Sequence, residues 1–314
     1  MGIRDVLRGV LPPGINEEWE FIRGARYERL ALKKGLPAAL KIWYRARKGR
    51  NLNLEDPKTF SEKIQWLKLY DVTPEKIRLC DKYLVRDWIK EKIGDEYLVP
   101  FLGKWDRAED IDFNALPDSF VLKTNHSSGW NIVVPDKSKI DKKKAVRKLD
   151  RWMHTDFACF MGYEMQYRDV RRRIIAEEYI GDGVHELDDY KVMCFHGKPH
   201  VIWIDRGRHT DHRRNLYDKD WNKYPVTMLV PNLYEDPPAP VNLKKMWELS
   251  EILSQGFICA RIDFFEVEGR LYFGEITFTS GSGLSDFDPP ETNRQWGDLM
   301  RLPKDVQCYD IKPL

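Results

Sequence analysis

One stretch constrains the fold more than any other: Arg261-Ile262-Asp263-Phe264-Phe265, a short turn at Gly269, then Leu271-Tyr272-Phe273-Gly274-Glu275-Ile276-Thr277. Apolar residues alternate with others at period two on both sides of the glycine, the pattern of two half-buried strands joined in a hairpin. Each strand carries one carboxylate near the same end, so an antiparallel register can set Asp263 and Glu275 side by side on one face. Adjacent carboxylates repel unless a cation or a shared proton lies between them. Arg261, two residues before Asp263, shares its face. Such a group suits a hard divalent metal held against phosphate oxygens. Taken by itself, the hairpin fits equally a solvated strand pair with ordinary surface charges.

Elsewhere helical and hairpin-like segments alternate. Residues 17–49 read as helical, and Pro57 to Lys92 as further helices, with Thr59 or Ser61 capping the first and Thr73-Pro74-Glu75 opening the next. Residues 97–103, 119–123 and 130–134 read as strands; 106–116 is a polar connector and 124–129 a small polar loop. A basic helix is expected at 141–154. Residues 173–180, 189–196 and 199–205 read as strands, with His196-Gly197-Lys198 a tight turn between the last two. Residues 206–224 read as a polar loop, 232–240 as a proline-rich connector, and Leu243 to Gln255 as a helix stopped by Gly256. Helices interspersed with antiparallel hairpins predict an α+β fold and argue against a doubly wound parallel sheet.

Composition narrows the function classes. A formal net charge of +2 over 314 residues gives no global field for nucleic acid. Basic residues crowd into 1–50, interleaved with apolar ones such as Leu30, Leu32, Leu36 and Ile42. That texture suits peripheral contact with an anionic membrane, or a basic helix packed on its own protein, which is the commoner use. Eleven Trp likewise point first to core packing and second to sugar or base platforms. The five cysteines are scattered and show no metal-ligand spacing, as in a reducing compartment. With no signal peptide and no apolar run of membrane-spanning length, a cytoplasmic protein is expected.

Three more segments carry chemistry. Lys123 ends a strand just before Thr124-Asn125-His126-Ser127-Ser128-Gly129, a small-residue loop whose backbone amides suit a flexible flap over phosphates. The GxxxxGK spacing of a Walker loop is absent. Ala176-Glu177-Glu178-Tyr179-Ile180 is an apolar strand end carrying acids, able to offer backbone groups to an adenine edge. Lys191 opens the next hairpin and can point into the same cleft.

In this order, the segments resemble the ATP-grasp superfamily and, more closely, its TupA-like branch, named for a teichuronopeptide biosynthesis protein and found among capsule and cell-envelope polysaccharide genes. The resemblance covers roughly residues 50 to 290 and is carried by Thr59-Phe60-Ser61-Glu62-Lys63, Asp81-Lys82-Tyr83, Leu116-Pro117, Val121 to Gly129 and Tyr272 to Gly283. It implies an ATP-grasp fold with two α+β lobes enclosing the nucleotide and a helical amino-terminal region. The implied borders are a basic helical extension at 1–55, a helical part at 56–116, a flap lobe at 117–180, a metal-bearing lobe at 181–300 and a tail at 301–314. It also implies ATP and Mg2+ as cofactors. Lys123 and the loop His126, Ser127, Ser128 and Gly129 would meet the phosphates, with Lys191 beside them; Glu177, Glu178, Tyr179 and Ile180 would read the adenine. Asp263 and Glu275 would hold the metal, and Arg261, Lys191 and Arg206 would act on the transferring group. Many ATP-grasp enzymes place Asn where this chain has Thr277, a poorer metal ligand.

The implied reaction is ATP-dependent ligation of a carboxylate to an amine through an acyl phosphate. The implied partners are a uronic-acid glycan or a nucleotide- or lipid-linked sugar precursor, and an amino acid or other amine. Asp205, Arg208, His209, His212 and Arg213 are the candidates to bind an anionic sugar. A sugar kinase using Asp205 as base, and a membrane-associated assembly scaffold, are the alternatives.

Overall fold

The computed structural model describes residues 13–183, 186–208 and 210–313, with 13–21 described by backbone alone. The chain opens with α1 (Pro13–Lys34) and α2 (Leu36–Lys48). Next come α3 (Phe60–Tyr70), α4 (Pro74–Cys80) and α5 (Val85–Lys92). Thr59 caps α3 in a reciprocal box with Glu62, an arrangement worth about 1 kcal/mol. Strand β1 (Phe101–Trp105) leads to the hairpin β2 (Phe120–Thr124) and β3 (Asn131–Val134), then α6 (Lys142–His154), the single-turn α7 (Phe157–Phe160) and β4 (Ile174–Glu178). The second half holds β5 (Asp189–Phe195), β6 (Lys198–Arg206), β7 (Arg213–Tyr217), β8 (Lys223–Tyr224), β9 (Thr227–Met228), α8 (Leu243–Leu253), β10 (Cys259–Val267), β11 (Arg270–Thr277), β12 (Phe287–Asp288) and α9 (Glu291–Asp298).

Two antiparallel sheets organise these elements, as an α+β fold requires. The smaller has the order β1-β4-β2-β3 and the larger β11-β10-β5-β6-β7-β8, while β9 and β12 form a separate pair. Each main sheet has its own core. Phe120, Leu122, Ile174 and Ala176 of the small sheet pack with Leu149 of α6 and with Ala108, Ile111, Phe113 and Leu116. The segment 106–116 is therefore part of the small lobe's core, not the polar connector expected. The large core joins the amino-terminal helices directly to the six-stranded sheet. Phe60 of α3 meets Trp296 of α9 and Phe195 of β5 edge-to-face, at 5.4 and 6.2 Å between ring centroids. The segment 157–170, between α6 and β4, also packs into this large core, through Phe157, Cys159, Tyr163 and Tyr167. The carboxy-terminal segment lies on the same core: Tyr309 N donates to Leu69 O, and Arg168 Nη2 donates to Lys312 O.

The stretch 206–224, expected to be a loop, contains β7 and β8. Its run Arg213-Arg214-Asn215 conceals a strand because Arg214 is buried, a placement hydrophobic alternation does not signal. On α2, Leu36, Ala39, Leu40, Trp43 and Tyr44 are buried. The basic amino-terminal helices therefore pack on their own protein. No helix among the described residues is long and apolar enough to cross a membrane.

Candidate active site

The large sheet carries a charged row across its strands. Asp263 on β10 pairs directly with Glu275 on β11 and, on its other side, with Lys191 on β5. Two residues along the same face, Asp189 on β5 pairs with Asp205 on β6, which pairs with Arg214 on β7. Period-two alternation puts these groups on one face; for Asp263 and Glu275 the hairpin's sequence predicted it.

Opposite charges interlock along this row. Arg261 forks onto Asp263, with Nε and Nη2 each 2.6 Å from a carboxylate oxygen, and Nη2 also donates to Glu275 Oε1 at 3.0 Å and to Thr277 Oγ1 at 3.0 Å. Lys82 donates to the other Glu275 oxygen at 3.2 Å. Arg214 forks onto Asp205 at 2.6 and 2.9 Å, and His212 Nε2 lies 3.1 Å from the same carboxylate. Lys191 pairs with Asp189 and, at 3.2 Å, with Asp205. The indole of Trp203 lies between the guanidinium groups of Arg214 and Arg261, at 5.3 and 6.0 Å.

These environments separate the carboxyls. Burial pushes Asp263 upward against the pull of Arg261 and Lys191. Burial also works to raise Glu275, but the charges of Lys82 and Arg261 override it and hold the group at about 2. Asp205 is likewise desolvated, yet Arg214 keeps it well below the usual carboxylate range. Burial disfavours charge on Arg261, and Asp263 more than restores it.

The small sheet supplies the other wall. Lys123 on β2 and Glu177 on β4 are diagonal neighbours on one face, and Lys123 Nζ donates to Glu177 Oε2 at 2.5 Å. Arg86 of α5 donates to the second Glu177 oxygen at 2.7 Å. Lys82, Arg86, Lys123, Glu177, Tyr167 and Glu275 line one cleft between the two sheets.

The loop after Lys123, expected as a flap over phosphates, is largely buried. Thr124, Asn125, His126 and Ser127 are all buried, and only Ser128 and Gly129 reach outward. Asn125 holds it: its amide donates to Arg171 O at 2.8 Å and its carbonyl accepts from Arg173 N at 2.6 Å. The Asn125 backbone carbonyl accepts from Lys82 N, tying this loop to the second cleft lysine. Burial, with the nearby Arg172 charge, lowers the His126 pKa to about 3 and keeps the ring neutral.

Of the expected site residues, the fold gathers Arg261, Asp263, Glu275, Lys191 and Asp205 on the row, and Lys123 and Glu177 at the cleft. Glu178 is exposed, and Tyr179 and Ile180 are half-buried. Arg208 and His212 reach the row through Asp189 and Asp205. Arg206 does not belong to it: odd positions of β6 face the row, and Arg206 instead forks onto Asp188 at the exposed surface. Arg213 faces away for the same reason, paired with Asp211 and stacked 3.5 Å over Tyr234. His209 lies outside the described residues.

Sequence reasoning missed Lys82 and Arg86 as cleft residues, and Asp189 and Arg214 as row residues. It also missed three polar residues of α3. Ser61, Gln65 and Lys68 are fully buried on one helical face. They donate to the turn that follows Glu275: Ser61 to Ser285 O, Gln65 to Ser282 O and Gly283 O, and Lys68 to Ser282 O at 2.8 Å. That turn places Ser280 Oγ 3.3 Å from Arg261. Polar residues at i, i+4 and i+7 within an otherwise apolar helix were the available signal.

The donor set fits magnesium. Among the described residues no three His, Cys, Asp or Glu side chains form a complete cage. Two paired carboxylates that leave the remaining positions to phosphate oxygens and water are what this ion prefers.

Comparison with known proteins bears on the same residues. Several solved structures are similar at low identity. The D-alanine–D-alanine ligase from Bacillus anthracis complexed with ATP is 18% identical, with 64% of this chain and 54% of that one covered and a TM-score of 0.38. The corresponding Helicobacter pylori ligase is 14% identical, with 79% and 68% covered and a TM-score of 0.43. D-alanyl-alanine synthetase A from Vibrio cholerae is 12% identical, with 70% and 63% covered and a TM-score of 0.39. The chain thus spans little more than half of the first of these. No protein of curated function matches it. A family model described as TupA-like ATPgrasp matches residues 62–301, from the capping box of α3 through both sheets and the carboxylate hairpin. The chain belongs to the TupA-like ATP-grasp family.

Proposed function

We propose that the protein is an ATP-dependent carboxylate–amine ligase that works through an acyl phosphate. The observation that carries this reading is the Asp263–Glu275 pair, locked in register and bordered by Arg261, with Glu275 lining one cleft together with Lys82 and Lys123. Lys82, Lys123 and Arg86 would bind the nucleotide's phosphates, and the Glu177–Ile180 strand end would meet its base. Magnesium, when bound by Asp263 and Glu275, would supply charge stabilisation to the transferring phosphoryl group. Arg261 and Lys191 would hold the carboxylate substrate and the developing charge on its acyl phosphate. Water must be kept from such an intermediate, which the burial of the row favours. The amine then displaces phosphate. Asp189 Oδ1 is buried and accepts no hydrogen bond, so it can receive one from that amine. A kinase has less support: Asp205, the base it would need, is engaged by Arg214 and held strongly acidic.

The substrates we propose are a hexuronic acid of a surface glycan or its precursor, and an amino acid or other amine. Family membership supports this class, and the cationic side chains Arg208 and His212 at the end of the row suit an anionic sugar. We also propose that the protein works in the cytoplasm and touches anionic lipid peripherally. Ile22, Arg26, Arg29 and Lys33 on α1, and Ile42 and Arg45 on α2, are exposed and mix charge with aliphatic surface. Sedimentation with anionic but not neutral vesicles checks the lipid contact.

The test of the ligase is ATP consumption with Mg2+ over a panel of uronic-acid glycans, with and without pooled amino acids. Phosphate release that needs both acid and amine, with a product lighter by one water than their sum, supports it. A phosphorylated sugar formed without amine overturns it.

A further inference from the structure

All four oxygens of the Asp263–Glu275 pair are engaged by cationic side chains. Arg261 takes both oxygens of Asp263 and one of Glu275, and Lys82 takes the last. A divalent ion approaching this pair meets a guanidinium already seated on it. No carboxylate oxygen of the pair is left without a cationic partner for the ion to ligate, and like charges repel at this range. For the ion to ligate these oxygens, a cation has to give one up. Arg261 is well held, with a further hydroxyl partner in Ser280 and its side chain only 11% exposed. The cations on the other side of the cleft are engaged in the same way, Lys123 and Arg86 both on Glu177.

A triphosphate offers these cations new partners. Guanidinium forks bind phosphate oxygens as readily as carboxylates, and lysine serves as a point charge for them. We propose that Arg261 and Lys82 close the paired carboxylates to divalent metal until a nucleotide's phosphates draw them off, so that metal and nucleotide bind cooperatively through an exchange of ion-pair partners. The proposal rests on the metal assignment above and adds to it a coupling: metal binds weakly by itself and tightly once nucleotide phosphate is present. By linkage, the factor by which nucleotide tightens metal equals the factor by which metal tightens nucleotide.

The test is Mn2+ binding to the full chain, followed by electron paramagnetic resonance of the free ion, with and without a non-hydrolysable ATP analogue. Wild type should bind Mn2+ weakly alone and about tenfold or more tighter with the analogue. Arg261→Gln should bind Mn2+ alone about tenfold tighter than wild type and lose most of the coupling. Lys82→Met, which alters a different element and leaves the Arg261 fork in place, should shift both quantities in the same direction by less, and it stands in should Arg261→Gln fail to fold. Equal Mn2+ affinity with and without analogue in wild type overturns the exchange while leaving the metal site intact. So does a failure of both substitutions to tighten Mn2+ alone. Absence of Mn2+ binding under every condition overturns the metal assignment itself, and the exchange with it.

Discussion

The carboxylate hairpin and the loop after Lys123 are both strand–turn–strand units, and both turn through a glycine at φ +77°. Their fates in the fold differ. The hairpin from Arg261 to Thr277 presents its charged face as its alternation predicts, with Asp263 opposite Glu275. The loop from Thr124 to Gly129 has equally polar residues but buries most of them, held by the backbone of Arg171 and Arg173. A hairpin's register is set by its own alternation and its own turn. A loop's exposure is set by what lies over it, and here that is a segment more than forty residues away. One unit presents its paired carboxylates on the face of the sheet, and the other is tied through the Asn125 carbonyl to Lys82 N, next to Lys123.

The first way to break the comparison is to strip each unit of its charge. Asp263→Asn and Glu275→Gln should each reduce Mg2+-dependent ATP turnover by about 10²–10³-fold, because they remove charge stabilisation at the transferring group. Lys123→Ala should weaken binding of an ATP analogue by about tenfold, the loss of one charge-assisted contact. Turnover assays and calorimetric titration measure the two. Undiminished turnover in either carboxylate variant would remove that residue from the metal site.

The second concerns the pin. Asn125 is fully buried and makes two side-chain hydrogen bonds to backbone. Asn125→Ala removes the side-chain partners of the Arg171 carbonyl and the Arg173 N–H and should cost about 1–2 kcal/mol in urea unfolding. A cost below about 0.5 kcal/mol, within the range of ordinary surface substitutions, would mean that the loop is not held there.

What the sequence disclosed follows from the same contrast. Features fixed within a dozen residues were legible: the carboxylate hairpin, the capped start of α3 at Thr59, the β5–β6 turn at His196-Gly197, and the α+β class. Features fixed by distant partners were not. Arg214 is a row residue only because Asp205 lies beside it in the sheet, and Arg206 is excluded only by strand parity at the end of β6. Lys68 reads as a surface lysine until the turn at Ser282 covers it. Lys82 and Arg86 were visible beside an apolar helical stripe, but nothing local announced that Glu275 and Glu177 would come to meet them.

A third prediction uses acid to probe the buried side of the loop. His126 is held neutral down to about pH 3 by burial and Arg172, whereas a free imidazole titrates near 6.5. Below 6.5 the unfolded chain takes up a proton that the folded chain refuses, so stability falls with pH across that window. Moving from pH 7 to pH 5 should destabilise the wild type by about 1–2 kcal/mol more than His126→Gln. Equal pH dependence in the two proteins, measured by urea midpoints, would show that the ring is not sequestered.

The smallest effect separates the two turns most cleanly. Gly129 and Gly269 share a φ of +77°, and a methyl group added at either would meet nothing within 4 Å. Alanine at each should therefore cost about 1 kcal/mol from the left-handed backbone alone, with no steric difference between them. Their functional consequences should part. Gly269 lies at the far end of β10 and β11 from the Asp263–Glu275 pair, whereas Gly129 ends the segment that fixes Lys123 and Lys82. Gly129→Ala should weaken binding of an ATP analogue several-fold, and Gly269→Ala should leave it unchanged. Matched stability losses with matched affinities would mean that the outward tip of the loop, unlike its buried base, has no part in positioning the cleft lysines.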